Sequence, residues 1–227
     1  MSKVKKNVWW LVFSLLFLLV LTVAISDQYY LLVSFLFLIG TMVPLYSRFE
    51  KKKIQSREIV FLAVLGAIAA ASRVLFFAIP SVQPMTFVVI VSGMVLGSEG
   101  GFMIGATGAL VSNMFLGQGP WTPWQMFSWS MIGLIAGLLK DSALLKNMRS
   151  RLLFGFVMGF LFGWVINLWS VIAYIHPLSW LAFIQAYIAS FYFDLAHALS
   201  NVFFLWLFSS SWIKVMRRFQ KKYGLLD

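Results

Sequence analysis

Three ionisable side chains, Arg73, Asp194 and His197, fall inside apolar runs of the chain. A charge there is costly and is rarely kept for packing, so a functional role is the default expectation for each. Asp194 and His197 are three residues apart and share one face of a helix. Four readings are open: an Arg73–Asp194 ion pair, a ligand contact, a proton relay, or a metal site. One His and one carboxylate are too few for a dedicated zinc site, and no second His lies at helical spacing, so no metal ligands are assigned. The leading structural reading is the ion pair, because buried charges need partners, with both groups lining one water-accessible pocket. For Arg73 the bland alternative is snorkelling to the nearby surface.

A second feature is residues 117–126, Gly-Gln-Gly-Pro-Trp-Thr-Pro-Trp-Gln-Met. Two glycines and two prolines fix a turn there rather than a helix. Trp121 and Trp124 offer flat apolar faces and Gln118 and Gln125 offer polar edges, which suits a ligand with both. Tryptophan is also enriched wherever helices leave a membrane, so an interfacial anchor is the competing reading. Trp129, Trp169 and Tyr174 add further aromatic faces, and Gln83 and Asn167 further amide edges. Asp194 completes the set of candidate substrate contacts.

The elements that must position these residues are membrane helices. The 227 residues are 61% apolar and only 11% charged, with a mean hydropathy of +0.89. Apolar runs reach the roughly 20 residues a spanning helix needs and do not alternate as barrel strands would. Apart from Arg73, every Lys and Arg lies in residues 2–6, 48–57, 140–151 or the tail from 214. If those four places are cytoplasmic, the net charge of +11 is the positive-inside signature and an attraction to anionic lipid. No basic segment belongs to a soluble reading fold, so nucleic acid is not an expected partner.

Along the chain, a hairpin of helices over about 7–25 and 29–46 precedes a basic linker at 48–57. Helices are then expected over about 58–79, 84–96, 101–116 and 123–139. A glycine-bearing helix leading to Tyr174 and a last one over about 180–213 follow. That makes eight helices with both termini cytoplasmic. Residues 1–55 form an N-terminal hairpin with its linker, and 56–227 form the binding core with a basic tail. The first run is long, lacks a small-x-small cleavage site and is followed at once by a second, so it reads as a retained helix and not a cleaved signal. Ala63, Ala67 and Ala71 recur every four residues and make a smooth stripe where another backbone can approach. Packing within the chain and docking of a partner protein both fit.

No cysteine, nucleophile elbow, HExxH or Walker A sequence is present, so an enzyme is not expected. No cofactor is expected either. Solute moved uphill must draw on an ion gradient or on a separate ATPase. A secondary transporter would show internal repeats and helices broken at mid-membrane, and no convincing repeat is found. An ion-coupled transporter using Asp194 and His197 is kept as the alternative.

From residue 58 to 212 the chain resembles the substrate-specific S-component of energy-coupling factor (ECF) vitamin transporters. The resemblance rests on the Ala63-xxx-Ala67-xxx-Ala71 stripe, on Pro84-Met85-Thr86, and on residues 113–126. It implies a six-helix membrane bundle that binds a vitamin in an outward-facing pocket. The partners it implies are a transmembrane coupling subunit and two ATP-binding subunits, with the alanine stripe facing the coupling subunit. The 117–126 stretch looks most like cobalamin-type members, with Arg73 meeting the phosphate of a corrinoid. Another vitamin or a modified base would use the same residue types. The N-terminal hairpin departs from the six-helix pattern.

Overall fold

The computed structural model describes residues 55–224, so the expected hairpin over 7–25 and 29–46 and most of its linker lie outside the described residues. The fold is all-helical, as the apolar runs require. Helix α1 spans Ser56–Leu75. It opens where the Gln55 amide donates to the Glu58 carboxylate at 2.8 Å, which satisfies a backbone group the helix itself leaves free. It ends earlier than the expected residue 79. The chain leaves through i→i+3 turns at Phe77 and Ile79, as the restriction that Pro80 places on the preceding residue demands.

Helix α2 spans Pro84–Leu116 but is interrupted at Gly97, whose φ of 85° and ψ of −176° are accessible essentially to glycine alone. Its two limbs, 84–96 and 98–116, fold back on each other. A Cβ placed on Gly101 would meet Gly93 Cα at 2.7 Å, and one on Gly108 would meet Met85 Cε at 2.9 Å. Met85 and Gly108 would be some 35 Å apart in a straight helix. The expected inner turn over 97–101 is thus a reversal at one residue, and the next helix resumes at Ser98. Every residue from Pro84 to Leu96 is buried, which makes the first limb the central strut of the bundle.

Helix α3, Thr122–Leu138, runs back along the second limb. Carbonyl groups of α3 lie where side chains on α2 would be: Gly93 and Gly101 face the Gly133 carbonyl, and Gly105 faces that of Trp129. A short helix α4, Ala143–Lys146, was not expected from the sequence. Helices α5, Met148–Tyr174, and α6, Trp180–Tyr223, form an antiparallel pair. Gly159 receives the backbone of Ala198, and Gly155 receives the Leu205 side chain. Helix α6 continues ten residues past the expected 213, through the basic tail to Gly224 in a left-handed cap. Arg151 belongs to a stretch expected in the cytoplasm, yet it is buried. It donates to the Leu145 and Lys146 carbonyls at 2.9 and 3.3 Å and to Ser209 Oγ at 3.0 Å, joining α4, α5 and α6.

Among the described residues, α1, α2, α5 and α6 are each long and apolar enough to cross a membrane. With α2 doubled on itself and α3 running back beside it, the described core has six segments, each antiparallel to the next in the chain. One cluster of buried side chains draws on α1, α2, α3, α5 and α6. At one end of the bundle lie Lys140, the start of α5 and the basic tail. At the other lie the turns after α1, α2 and α5, which carry no Lys or Arg.

Candidate functional site

Arg73 lies in the last turn of α1, at the end of the bundle without lysine, and is the centre of a polar cluster. Helix α1 runs parallel to the second limb of α2, so Gly66 faces Thr107 and Gly108 faces Ala69. Continuing the same register brings Arg73 to Ser112 and Asn113. Its Nη1 donates to Ser112 Oγ at 2.7 Å and to Asn113 Oδ1 at 2.6 Å. Its Nη2 donates to Gln125 Oε1 at 3.4 Å, and the guanidinium lies 5.0 Å from the centre of the Trp129 ring. These partners are neutral. The cluster therefore keeps the full positive charge of the arginine, held in place by acceptors and by a ring face.

The loop before α3 is tied into this cluster. Asn113 Nδ2 donates to Gln125 Oε1 at 2.8 Å and to Thr122 Oγ1 at 3.1 Å. Thr122 in turn donates to Gln118 Oε1 at 3.0 Å and accepts from the Gly119 amide at 3.2 Å. Gln118 also donates to the Leu110 carbonyl at 3.2 Å. Of the two loop glutamines, Gln125 reaches Arg73, and Gln118 serves the turn.

A second network starts at Trp129. Its Nε1 donates to Thr86 Oγ1 at 3.0 Å, and the same hydroxyl lies 2.8 Å from His197 Nε2. The His197 ring stands edge-on to Phe162, and Phe162 packs on Trp129 with ring centres 4.3 Å apart. This chain links α6 to the Arg73 cluster through α2 and α3. A Thr86→Val variant keeps the shape and orphans both the indole N–H and the imidazole nitrogen. Each unsatisfied buried group costs about 1–3 kcal/mol. The variant is expected to unfold at a temperature several degrees lower, measured by thermal melting in detergent.

Asp194 is elsewhere, and the expected Arg73–Asp194 ion pair is not formed. The Asp194 carboxylate accepts from Ser190 Oγ at 3.0 Å and from Asn167 Nδ2 at 3.4 Å. Asn167 also donates to Ser190 at 2.6 Å. The group is buried where Gly163 of α5 leaves room for it. The physical reason is register. Helices α5 and α6 pair antiparallel, so Asp194 faces residue 163 while Arg73 faces residues 112 and 113. Asp194 and His197 share a helix face, as their spacing requires, but they belong to separate networks.

The aromatic candidates form a third group. Trp121 and Trp169 stand edge to face with centres 6.0 Å apart, and Trp169 and Tyr174 with centres 5.5 Å apart. Trp124, Trp169 and Ile172 are buried together, Trp129 is buried in the main core, and Tyr174 is exposed. Three polar atoms among the candidates are buried without a hydrogen-bond partner among the described residues: Trp124 Nε1, Trp169 Nε1 and Gln83 Oε1. The Gln83 backbone amide donates to Ser200 Oγ at 3.2 Å.

The sequence candidates formed one set; the structure brings Arg73, Gln125 and Trp129 together and gathers Trp121, Trp124, Trp169 and Tyr174 in another group beside the loop. Sequence reasoning missed Ser112 and Asn113 as contacts of Arg73, and Thr86 as the link to His197. The available signal was the position of Ser112 and Asn113 at the end of an otherwise apolar run. Ala63, Ala67 and Ala71 are all exposed along α1, uncovered by the rest of the described chain. Among the described residues, no group of three or more His, Cys, Asp and Glu side chains could hold a metal ion.

Compared with known proteins, the chain matches no curated protein and no solved structure. The profile of one family does match, over residues 57–215, and its description is "ECF transporter, substrate-specific component".

Proposed function

Because the chain belongs to the family of substrate-specific components of ECF transporters, we propose that the solute it binds is a vitamin, cobalamin or a related corrinoid, captured beside Arg73. The protein is a membrane-embedded substrate-binding subunit and not an enzyme, and it works with an ECF module that has membrane and ATPase components. In this reading the end of the bundle without lysine faces outward and both termini face the cytoplasm, following the distribution of basic residues.

The observation that carries the reading is the guanidinium of Arg73, uncompensated among the described residues and held by Ser112, Asn113 and Gln125 against Trp129. A cation kept at membrane depth with only neutral partners among the described residues is poised for an anionic group of the ligand, such as a corrinoid phosphate. Trp121 and Tyr174, in the aromatic group around Trp169, offer apolar faces. The orphaned Gln83 Oε1 and indole N–H groups suit a ligand with amide edges. Asn167 and Asp194 reach such a ligand only if α5 and α6 part, and they are its secondary contacts.

One observation favours a smaller ligand, another vitamin or a modified base. Trp124, Trp129 and Trp169 are buried, which leaves less open aromatic surface than a corrin ring would cover. The visible absorption spectrum of protein purified from corrinoid-rich medium separates the two readings. A bound corrinoid band supports the first. A colourless protein that fails to bind corrinoid on titration discards it.

The exposed Ala63, Ala67 and Ala71 face is the proposed contact with the coupling subunit, since small side chains allow close helix approach. Ala67→Trp is expected to prevent assembly with the coupling subunit and the two ATP-binding subunits, read by co-purification, and to leave ligand binding unchanged. Assembly at the normal yield would remove the stripe from the interface.

A further inference from the structure

At the basic end of the bundle, α1 and α6 line a cleft of about 880 Å³. Phe61, Leu65, Trp212 and Phe219 are among its walls, with Arg57 and Tyr223 at its mouth. Phe61 and Phe219 are stacked with ring centres 6.3 Å apart, so the two helices touch there and the cleft is a shaped feature of their packing. Its rim is cationic. Arg57 is exposed and reaches towards the end of α6, where a Cβ on Gly224 would lie 3.8 Å from its Nη2. The Lys222 ammonium sits 5.3 Å from the centre of the Tyr223 ring. Lys214, Arg217, Arg218 and Lys221 are exposed along the same stretch of α6.

We propose that this cleft binds one anionic phospholipid of the leaflet at the basic end, with an acyl chain along the aromatic walls and the headgroup phosphate between Arg57 and Lys222. Basic pockets between membrane helices select anionic headgroups because each cation near the surface adds attraction that zwitterionic lipids do not return. The aromatic walls suit a flexible chain that can follow an uneven surface, whereas a docking helix wants small side chains such as those of the neighbouring alanine stripe.

Trp212 in the wall supplies the measurement. The full chain is placed in phosphatidylcholine vesicles with increasing fractions of dibrominated phosphatidylglycerol, or of dibrominated phosphatidylcholine as the zwitterionic control. The Trp212 signal is the difference between the wild type and Trp212→Phe. Quenching of that signal is expected at about 25-fold lower fractions of the anionic lipid. Arg57→Gln with Lys222→Gln should remove the preference, at about fivefold for each cation, and Arg57→Lys with Lys222→Arg should retain it. Equal quenching by the two lipids in the wild type overturns the proposal. So does the absence of quenching by either, which means that protein fills the cleft, whether residues 29–46, a second copy or the coupling subunit.

Discussion

Arg73→Gln is expected to reduce ligand affinity by about 100-fold or more, with the helical content and melting temperature nearly preserved. Removing one partner of a desolvated charge pair costs about 2–5 kcal/mol, and every 1.4 kcal/mol is tenfold in affinity. Glutamine still donates one hydrogen bond to Asn113 or Ser112, so the cluster that surrounds the arginine stays largely satisfied. What disappears is the charge. Arg73→Lys keeps the charge and loses the planar fork that reaches Ser112, Asn113 and Gln125 together, so it should fall between the wild type and Arg73→Gln. Equilibrium dialysis with the vitamin that co-purifies with the wild type reads all three. Unchanged affinity in a folded Arg73→Gln protein would assign the arginine to the bland role of a side chain directed to the membrane surface.

The second large effect is on stability, and Gly133→Val tests it. A Cβ at Gly133 would occupy the space of the Gly101 carbonyl and would lie 3.0 Å from Gly101 Cα. The obstacle is backbone on both sides, so no side-chain rotation relieves it, and α3 has to move away from the α2 hairpin. Overpacking against flexible neighbours costs about 1–3 kcal/mol, and a backbone obstacle belongs at or above the top of that range. The melting temperature should fall by about 10 °C, and the purified fraction should aggregate. Gly155→Ala is the matched control. Its Cβ would meet the end of the Leu205 side chain, which can turn aside, so a shift of only a few degrees is expected.

The Gly133 contact shows why much of the fold was legible in the residues alone. Gly93, Gly101 and Gly105 meet Gly133 and Trp129 backbone to backbone, and Gly159 meets Ala198. A chain with no water to satisfy its backbone must be helical, and helices in that setting pack through small residues, so glycine spacing maps onto contact faces. The limits of α1 and α6 were less legible. Apolar content continues through Phe76 and Phe77 although Pro80 ends the helix, and the basic composition after residue 213 hides the fact that α6 continues to Tyr223.

The candidate site divides in the same way. That Arg73 is exceptional follows from one charge in an apolar run. Who holds it does not, because residues 39 and 40 positions away on a parallel segment meet it only through the register of α1 on α2. An acidic partner was the simplest expectation, and Asp194 was the nearest candidate by chemistry. The packing of α6 on α5 commits that carboxylate to Ser190 and Asn167 instead.

By itself the sequence determined a helical membrane protein with its other cations confined to four short stretches, no catalytic constellation, a smooth alanine face and one arginine out of place. These follow from composition and local spacing, which the solvent reads directly. The tertiary structure alone decided that Gly97 doubles α2 into a hairpin, that Arg73 is held by the neutral Ser112, Asn113 and Gln125, and that His197 joins Thr86 while Asp194 does not join Arg73. Those outcomes depend on which helix faces meet and in which register. Such choices are made by close contacts between segments far apart in the chain, and no local pattern encodes them.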